Sequence, residues 1–486
     1  MFTKKVLLFI SITGFVACNK IDEFGDINQN PAATTEPILS ALLTNTLSGL
    51  GNDTWDASAT SSTGLITVSG FYCQYYSETL YTELSTYATP NINWDNYYSG
   101  RLYDLQTIIN YNSNPATASK AATYGSNNNQ IAVARILKVY LFSLLTDCYG
   151  DLPYSGALKA DNGIVAFDSQ ESLYTDFFKE LNEAVAQFDN GNPATGDILF
   201  NGSITMWRRF ANSLHALLAL HLTKANPTLG AGEFKVALSS TGGVFENGSN
   251  AELKYTGVNY LNPVYSYHLY PPFRIAVAKT MTNWLQDHND SRMNAYATST
   301  TGFPYGLTRD SAISFGNTNL NWAKILKGQT TSATSPLPII TAAEIYLARA
   351  EAGDLGWTNE DAITMYRTGI KESWQYWGVY NDVDFETYMQ QTGVSLTGTP
   401  DDLKKINEQQ WAAHYPNGLR GWTTWRRTGY PVLLPAPGSN SNAIPRRFPY
   451  GGNEFSTNTE NANKAAALYS INGEANSSYG RVWWDK

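Results

Sequence analysis

The sequence predicts a mostly α-helical fold in which helical hairpins form a scaffold covered by long loops and a few short strands. Three observations lead there. Apolar residues recur at helical spacing behind recognisable N-caps, and two capped helices are joined by a short glycine-containing turn. Between the helices lie long stretches rich in Asn, Ser, Thr, Gly and Tyr. No Pro-rich linker or charge run divides the chain, so these parts are expected to build one unit.

Taken in order, the first element is a leader. Lys4 and Lys5 precede an apolar run from Val6 to Val16. That run suits a signal-peptide core and is too short for the roughly 20 residues that span a bilayer. It ends at Phe15-Val16-Ala17-Cys18, a small residue followed by a cysteine, which is the cleavage pattern of a lipoprotein. Cys18 is therefore the expected lipid anchor, since several acyl chains on one cysteine hold a protein stably to a membrane. The expected layout is a signal peptide over 1–17, a lipidated tether over 18–40 and a single helical domain over 41–486. Asp22 and Glu23, just after the anchor, fit a surface-export signal and a merely solvated linker equally well.

The helical signals follow. Asp168 and Glu171 form a capping box before the stripe Leu173, Phe177, Leu181, Val185 and Phe188. Met206 to Thr223 carries Trp207, Ala211, Leu214, Leu218 and Leu222 on one face and apolar residues on others, the pattern of a buried helix. Thr341 and Glu344 open another capped helix, Gly353 and Gly356 break it, and a new start falls at Thr358 with Asp361. The last two helices make an αα-hairpin of about tetratricopeptide size, with Ala350, Ala352 and Gly369 small enough for close approach. No second copy recurs at a fixed period. The stretches 111–129, 298–334 and 379–399 read as loops, and loops of that length are expected to be functional or covering.

Composition narrows the function. A formal net charge of −9 without a basic run argues against nucleic acid, where phosphate contacts supply most of the affinity. Beyond the leader only Cys73 and Cys148 remain, too few for a disulfide scaffold; whether they pair is left open. His215, His221, His268, His288 and His414 form no H-E-x-x-H, and neither a P-loop nor a G-x-S-x-G elbow is present. Nothing singles out two of the 42 acidic residues as a glycosidase pair. Asp26, Asn28 and Asn30 have the spacing that opens a calcium loop, but Pro31 and Pro37 stand where Gly and Glu are required. No catalytic residue, cofactor or metal ligand is nominated, although a calcium held by scattered loop carboxylates stays open. Arg426-Arg427 and Arg446-Arg447 read as internal ties more readily than as a grip on a partner.

Several phrases occur in a telling order: Asp26-Ile27-Asn28-Gln29-Asn30-Pro31, Asp147-Cys148-Tyr149-Gly150-Asp151-Leu152-Pro153-Tyr154, Trp207-Arg208-Arg209-Phe210-Ala211-Asn212-Ser213-Leu214, Asn289-Asp290-Ser291-Arg292, the hairpin from Thr341 with Arg349-Ala350-Glu351-Ala352, Trp425-Arg426-Arg427-Thr428-Gly429-Tyr430-Pro431, and Ile444-Pro445-Arg446-Arg447-Phe448. Together they resemble the SusD/RagB family of surface lipoproteins, in its SusD-like branch, from the signal peptide nearly to the C-terminus. The resemblance implies a body of tetratricopeptide-like hairpins, no enzyme activity, and a place on the outer membrane facing the cell exterior. It implies capture of glycan or peptide fragments for a partner TonB-dependent (SusC-like) outer-membrane β-barrel. One departure is Ser291, where the family often has proline, a change in turn chemistry expected to be harmless.

The aromatic excess of 13 Trp, 31 Tyr and 20 Phe points to where a ligand would sit, because rings with a polar handle suit half-wet surfaces. Within the clusters, contacts are expected at Trp94 as a stacking face, Asn96 as a donor–acceptor pair, and Tyr267 and Tyr270 as the opposing wall. The alternative function is an extracellular glycan-degrading hydrolase with an unrecognised carboxylate pair. A third reading is a helical-repeat adhesion protein with no small ligand.

Overall fold

Helices in this chain begin where a side chain can accept one of the free amide N–H groups of the first turn. Ser203, Asn226, Thr341, Asp361, Asn381 and Asn417 do so, opening helices Ile204–Leu220, Pro227–Ser239, Ala342–Asp354, Ala362–Tyr376, Asp382–Met389 and Gly418–Thr428. The computed structural model describes residues 36–54, 64–90, 92, 94–159, 163–269, 273–326 and 332–486. Cys18, the acidic pair behind it, the calcium-like Asp26, Asn28 and Asn30, and Tyr270 lie outside the described residues.

Two predicted starts move. The helix placed after Asp168 is Gln170–Gln187, and its cap is Ser169, whose hydroxyl accepts from the Ser172 amide. Asp168 is spent elsewhere: it sits in the short strand Phe167–Asp168, and its carboxylate accepts from the amides of Tyr154 at 3.2 Å and Ser155 at 2.7 Å. The start expected at Thr358 comes at Asp361, because the chain needs residues 355–360 to turn. Thr341 caps as expected, accepting from Glu344 N at 3.3 Å. The predicted loops are also partly helical. Arg309–Thr318 lies within 298–334, Asp382–Met389 within 379–399, and Ala118–Ala121 within 111–129.

Chain neighbours pack as successive pairs. Asn127–Tyr149 lies between Tyr103–Ser113 and Gln170–Gln187; the latter meets Ile204–Leu220, which in turn meets Pro227–Ser239. Ala342–Asp354 packs along Ala362–Tyr376 and also against Asp402–Ala413, which leads to Gly418–Thr428 and so to Leu65–Tyr72. Gly369 permits the 342/362 contact, since a Cβ there would lie 2.7 Å from Leu347 Cγ. Gly150 ends the long 127–149 helix at φ +87°, a conformation that side chains disfavour. Among the described residues, Leu39–Lys486 forms one compact unit, mostly helical, with three two-stranded antiparallel ribbons.

The arginine pairs turn inward. Arg426 lies 3.6 Å over the Trp422 ring and donates to the carbonyls of Asp147 at 2.7 Å and Arg446 at 2.8 Å. Arg427 is paired with Glu351, Arg446 with Asp485, and Arg447 donates to the Tyr149 carbonyl. The Asp290-Ser291-Arg292 turn is closed by a fully buried ion pair of 2.6 Å, with Arg292 reaching on to Gln409 at 2.7 Å. Cys73 and Cys148 are buried free thiols. No described helix is long and apolar enough to cross a membrane.

Candidate functional site

The ribbon that matters pairs Tyr76–Glu78 with Ile275–Val277, Tyr76 opposite Val277 and Glu78 opposite Ile275. All six residues are buried, so the ribbon is a fixed platform rather than a loop. The pairing runs one residue further: the Thr79 amide donates to the Arg274 carbonyl at 2.9 Å and its hydroxyl to the Phe273 carbonyl at 2.8 Å. This continuation brings Tyr81, Phe273 and Arg274 to the same end of the ribbon.

There Tyr81 is 39 % exposed, among the large rings left open to water. Two guanidiniums flank it, Arg274 with Cζ 5.0 Å from the ring centroid and Arg309 at 4.8 Å. Beside them the Lys324 ammonium sits 4.4 Å over the half-buried Phe273 ring. Cation–ring contacts of this kind hold long side chains in place near a surface. The arrangement presents aromatic edges and orientable donors together, a chemistry for gripping hydroxylated or charged ligands.

Tyr267, predicted as a wall of the site, stands behind this cluster. Its ring packs at 5.9 Å on Phe273, and its hydroxyl accepts from the Ile275 amide at 2.8 Å. At 9 % exposure it supports the ribbon, and burial pushes its hydroxyl pKa up to about 12. Trp94 belongs to a different cluster. It is 4 % exposed, its ring packs on Tyr149 at 4.9 Å and Tyr450 at 5.6 Å, and its indole N–H donates to Glu454 at 3.1 Å. With its faces covered by protein rings, Trp94 offers no stacking face, and the expectation of a free one is corrected. Asn96, two residues on from Trp94, is exposed. Trp94 and Tyr267 thus belong to separate aromatic clusters that share no ring contact among the described residues.

Tyr81, Arg274, Arg309 and Lys324 escaped the sequence reading. Arg274 follows the aromatic Phe273 in the chain, but no spacing links the four.

Glu78 lies beneath the site. Its carboxylate accepts from the Ser85 amide at 2.9 Å, yet burial outweighs that bond and pushes its pKa up to about 8 from 4.5. The folded protein thus keeps a proton that the unfolded chain has released, so the stability Glu78 contributes is present below about pH 4.5 and lost as pH rises through about 8. Glu78→Gln is expected to flatten that fall and leave the protein more stable than wild type at pH 8. Urea titrations of both proteins at pH 5, 6.5 and 8 check this; parallel curves would place the proton elsewhere.

A concavity of about 490 Å³ lies elsewhere, beside the 127–149 and 170–187 helices. Most of its polar groups are already engaged: Arg135 with Glu180 and Glu183, Lys138 with Gln106, Tyr154 with Asp176. A ligand there would have to break those bonds, which makes the Tyr81 end the better candidate. No three His, Cys, Asp or Glu side chains among the described residues converge as a metal-ligand set.

Comparison with known proteins agrees with this architecture. A solved structure called a chitin-binding protein is 26% identical, covers 92% of this chain and 99% of its own, and superposes with a TM-score of 0.77. A SusD homolog from Bacteroides uniformis is 24% identical over 93% of this chain and 100% of its own, with a TM-score of 0.77. A chitin-binding SusD homolog from Flavobacterium johnsoniae is 22% identical over 91% and 98%, with a TM-score of 0.75. No curated protein matches significantly by sequence. The SusD-like family described as starch-binding and associating with the outer membrane matches residues 30–451, nearly the whole described body with its ribbon and helical pairs, and the chain belongs to that family.

Proposed function

We propose that this protein, anchored to the outer membrane through a lipid on Cys18, captures glycan fragments at the Tyr81 end of the ribbon and hands them to a partner TonB-dependent β-barrel. One observation carries the binding half: an exposed ring held by two guanidiniums at the end of a buried ribbon. A relative 26% identical that is called chitin-binding supports a saccharide over a peptide. The charged groups that touch Tyr81 are guanidiniums, whereas glycoside hydrolysis needs two flanking carboxylates, so the reading is binding and not catalysis.

Tyr81→Ala is expected to weaken glycan binding by roughly ten-fold, as loss of one ring contact does. Stability should change by no more than about 0.5 kcal/mol, because the ring is at the surface. Calorimetric titration with chitin- and starch-type oligosaccharides, paired with thermal melts, measures both. Undiminished binding in the variant would remove Tyr81 from the site. The hand-over is tested by gentle detergent extraction of the tagged, lipidated protein. A near-stoichiometric barrel is expected with it, and the absence of any barrel, under conditions that preserve a known pair of this kind, would remove the transport half.

A further inference from the structure

Arginines in this protein are almost always engaged. Arg101, Arg135, Arg292, Arg349, Arg367, Arg420, Arg427, Arg446 and Arg481 each face a carboxylate. Arg208, Arg209, Arg426 and Arg447 donate to backbone carbonyls. Among the described arginines, the side chains of Arg274 and Arg309 alone have neither an ion pair nor a hydrogen bond, and each rests on the Tyr81 ring. Lys324 beside them likewise rests on Phe273 without a carboxylate.

Two guanidiniums without a carboxylate on one ring, with Lys324 on the ring of the neighbouring Phe273, are conspicuous in a chain whose formal net charge is −9. Like charges held by one ring repel each other. Arg309 moreover opens the Arg309–Thr318 helix, the end at which the helix dipole disfavours positive charge. The acids nearest along the chain do not cancel them. Glu83 and Asp310 are exposed and form no ion pair with the three, and the Glu78 carboxyl is buried and pushed up to about 8, so it is largely protonated at neutral pH. His268, whose Nε2–H donates to the Ile325 carbonyl at 2.8 Å, is pushed down by burial and adds no charge at neutral pH.

We propose that the Tyr81 site selects an anionic saccharide, with a sugar carboxylate or sulfate placed between Arg274 and Arg309. This rests on the reading of Tyr81 as the glycan site and adds the charge class of the ligand. A planar guanidinium matches either oxyanion with two parallel donors, and two such forks on one ring give the specificity that a stacking ring alone lacks.

The test is calorimetric titration of the full mature chain with four probes: a galacturonate hexamer, a sulfated galactan hexamer, the neutral chitin hexamer and a hexaglutamate peptide. An acidic hexamer should bind at least roughly ten-fold more tightly than the neutral one, and weaken on raising salt from 50 to 300 mM. The double variant Arg274→Gln/Arg309→Gln should erase that preference, and thermal melts confirm that it folds; the salt series on wild type gives an answer even if it does not. Binding of the galacturonate but not the sulfated probe assigns a carboxylate, and the converse a sulfate. If the neutral hexamer binds as tightly and still depends on Tyr81, the charge proposal falls while the glycan site stands. Tightest binding by hexaglutamate overturns the saccharide. If no probe depends on Tyr81 or the two arginines, the site itself is wrong.

Discussion

Arg427→Met is expected to destabilise the protein by about 3–5 kcal/mol, the cost of stranding a buried carboxylate. The Arg427 and Glu351 side chains are 3% and 2% exposed. Arg427 donates to both Glu351 oxygens, one contact at 2.7 Å, and shares Gln410 at 3.1 Å. Gln410 in turn donates to Glu351 at 2.8 Å and to the Leu347 carbonyl at 3.2 Å. The network thus joins helices Ala342–Asp354, Asp402–Ala413 and Gly418–Thr428, the part of the scaffold that carries the predicted hairpin. Removing the guanidinium leaves the buried Glu351 with the Gln410 amide as its remaining donor in this network. The double change Arg427→Met/Glu351→Leu should recover much of the loss, because a buried pair is worth little more than well-packed apolar groups. Urea unfolding of wild type, both single variants and the double variant measures the coupling. Additive single effects would mean that the two residues act independently.

What could be read in the sequence was what local chemistry decides. Thr341 looked like a cap because a Thr side chain three residues before a glutamate satisfies the first turn without outside help, and it does. Gly369 looked like a contact point and meets Leu347. Asp168 misled because aspartate and serine are equally good caps. Only a tertiary event decided between them, the pairing of Phe167–Asp168 with Leu152–Pro153, which drew the carboxylate toward the 154–155 amides. The Asp382–Met389 helix was missed because it buries only Phe385 and Tyr388, too little to show a stripe. The site was harder still. Tyr81 meets Arg274 and Arg309 through a ribbon between distant segments, and no property of a Tyr-Thr-Glu tripeptide announces that.

Trp94 shows the same limit from the other side, and its replacement gives the second large effect. A ring next to Asp95 and Asn96 has the composition of a ligand contact, but exposure depends on which rings arrive from elsewhere in the chain. Here Tyr98, Tyr149, Phe167 and Tyr450 close around it at centroid distances of 6.1, 4.9, 6.1 and 5.6 Å. Trp94→Ala is therefore expected to cost about 3–5 kcal/mol, through lost burial and the cavity left behind. Part of that cost is local, since Glu454 loses the indole donor at 3.1 Å while burial is already raising its pKa. Trp94→Phe should cost less, because it refills most of the cavity and removes only the hydrogen bond. Chemical denaturation ranks the three proteins, and glycan titration under native conditions should leave their affinities alike. An unchanged denaturation midpoint with lost binding would return Trp94 to the ligand site and displace Tyr81 from it.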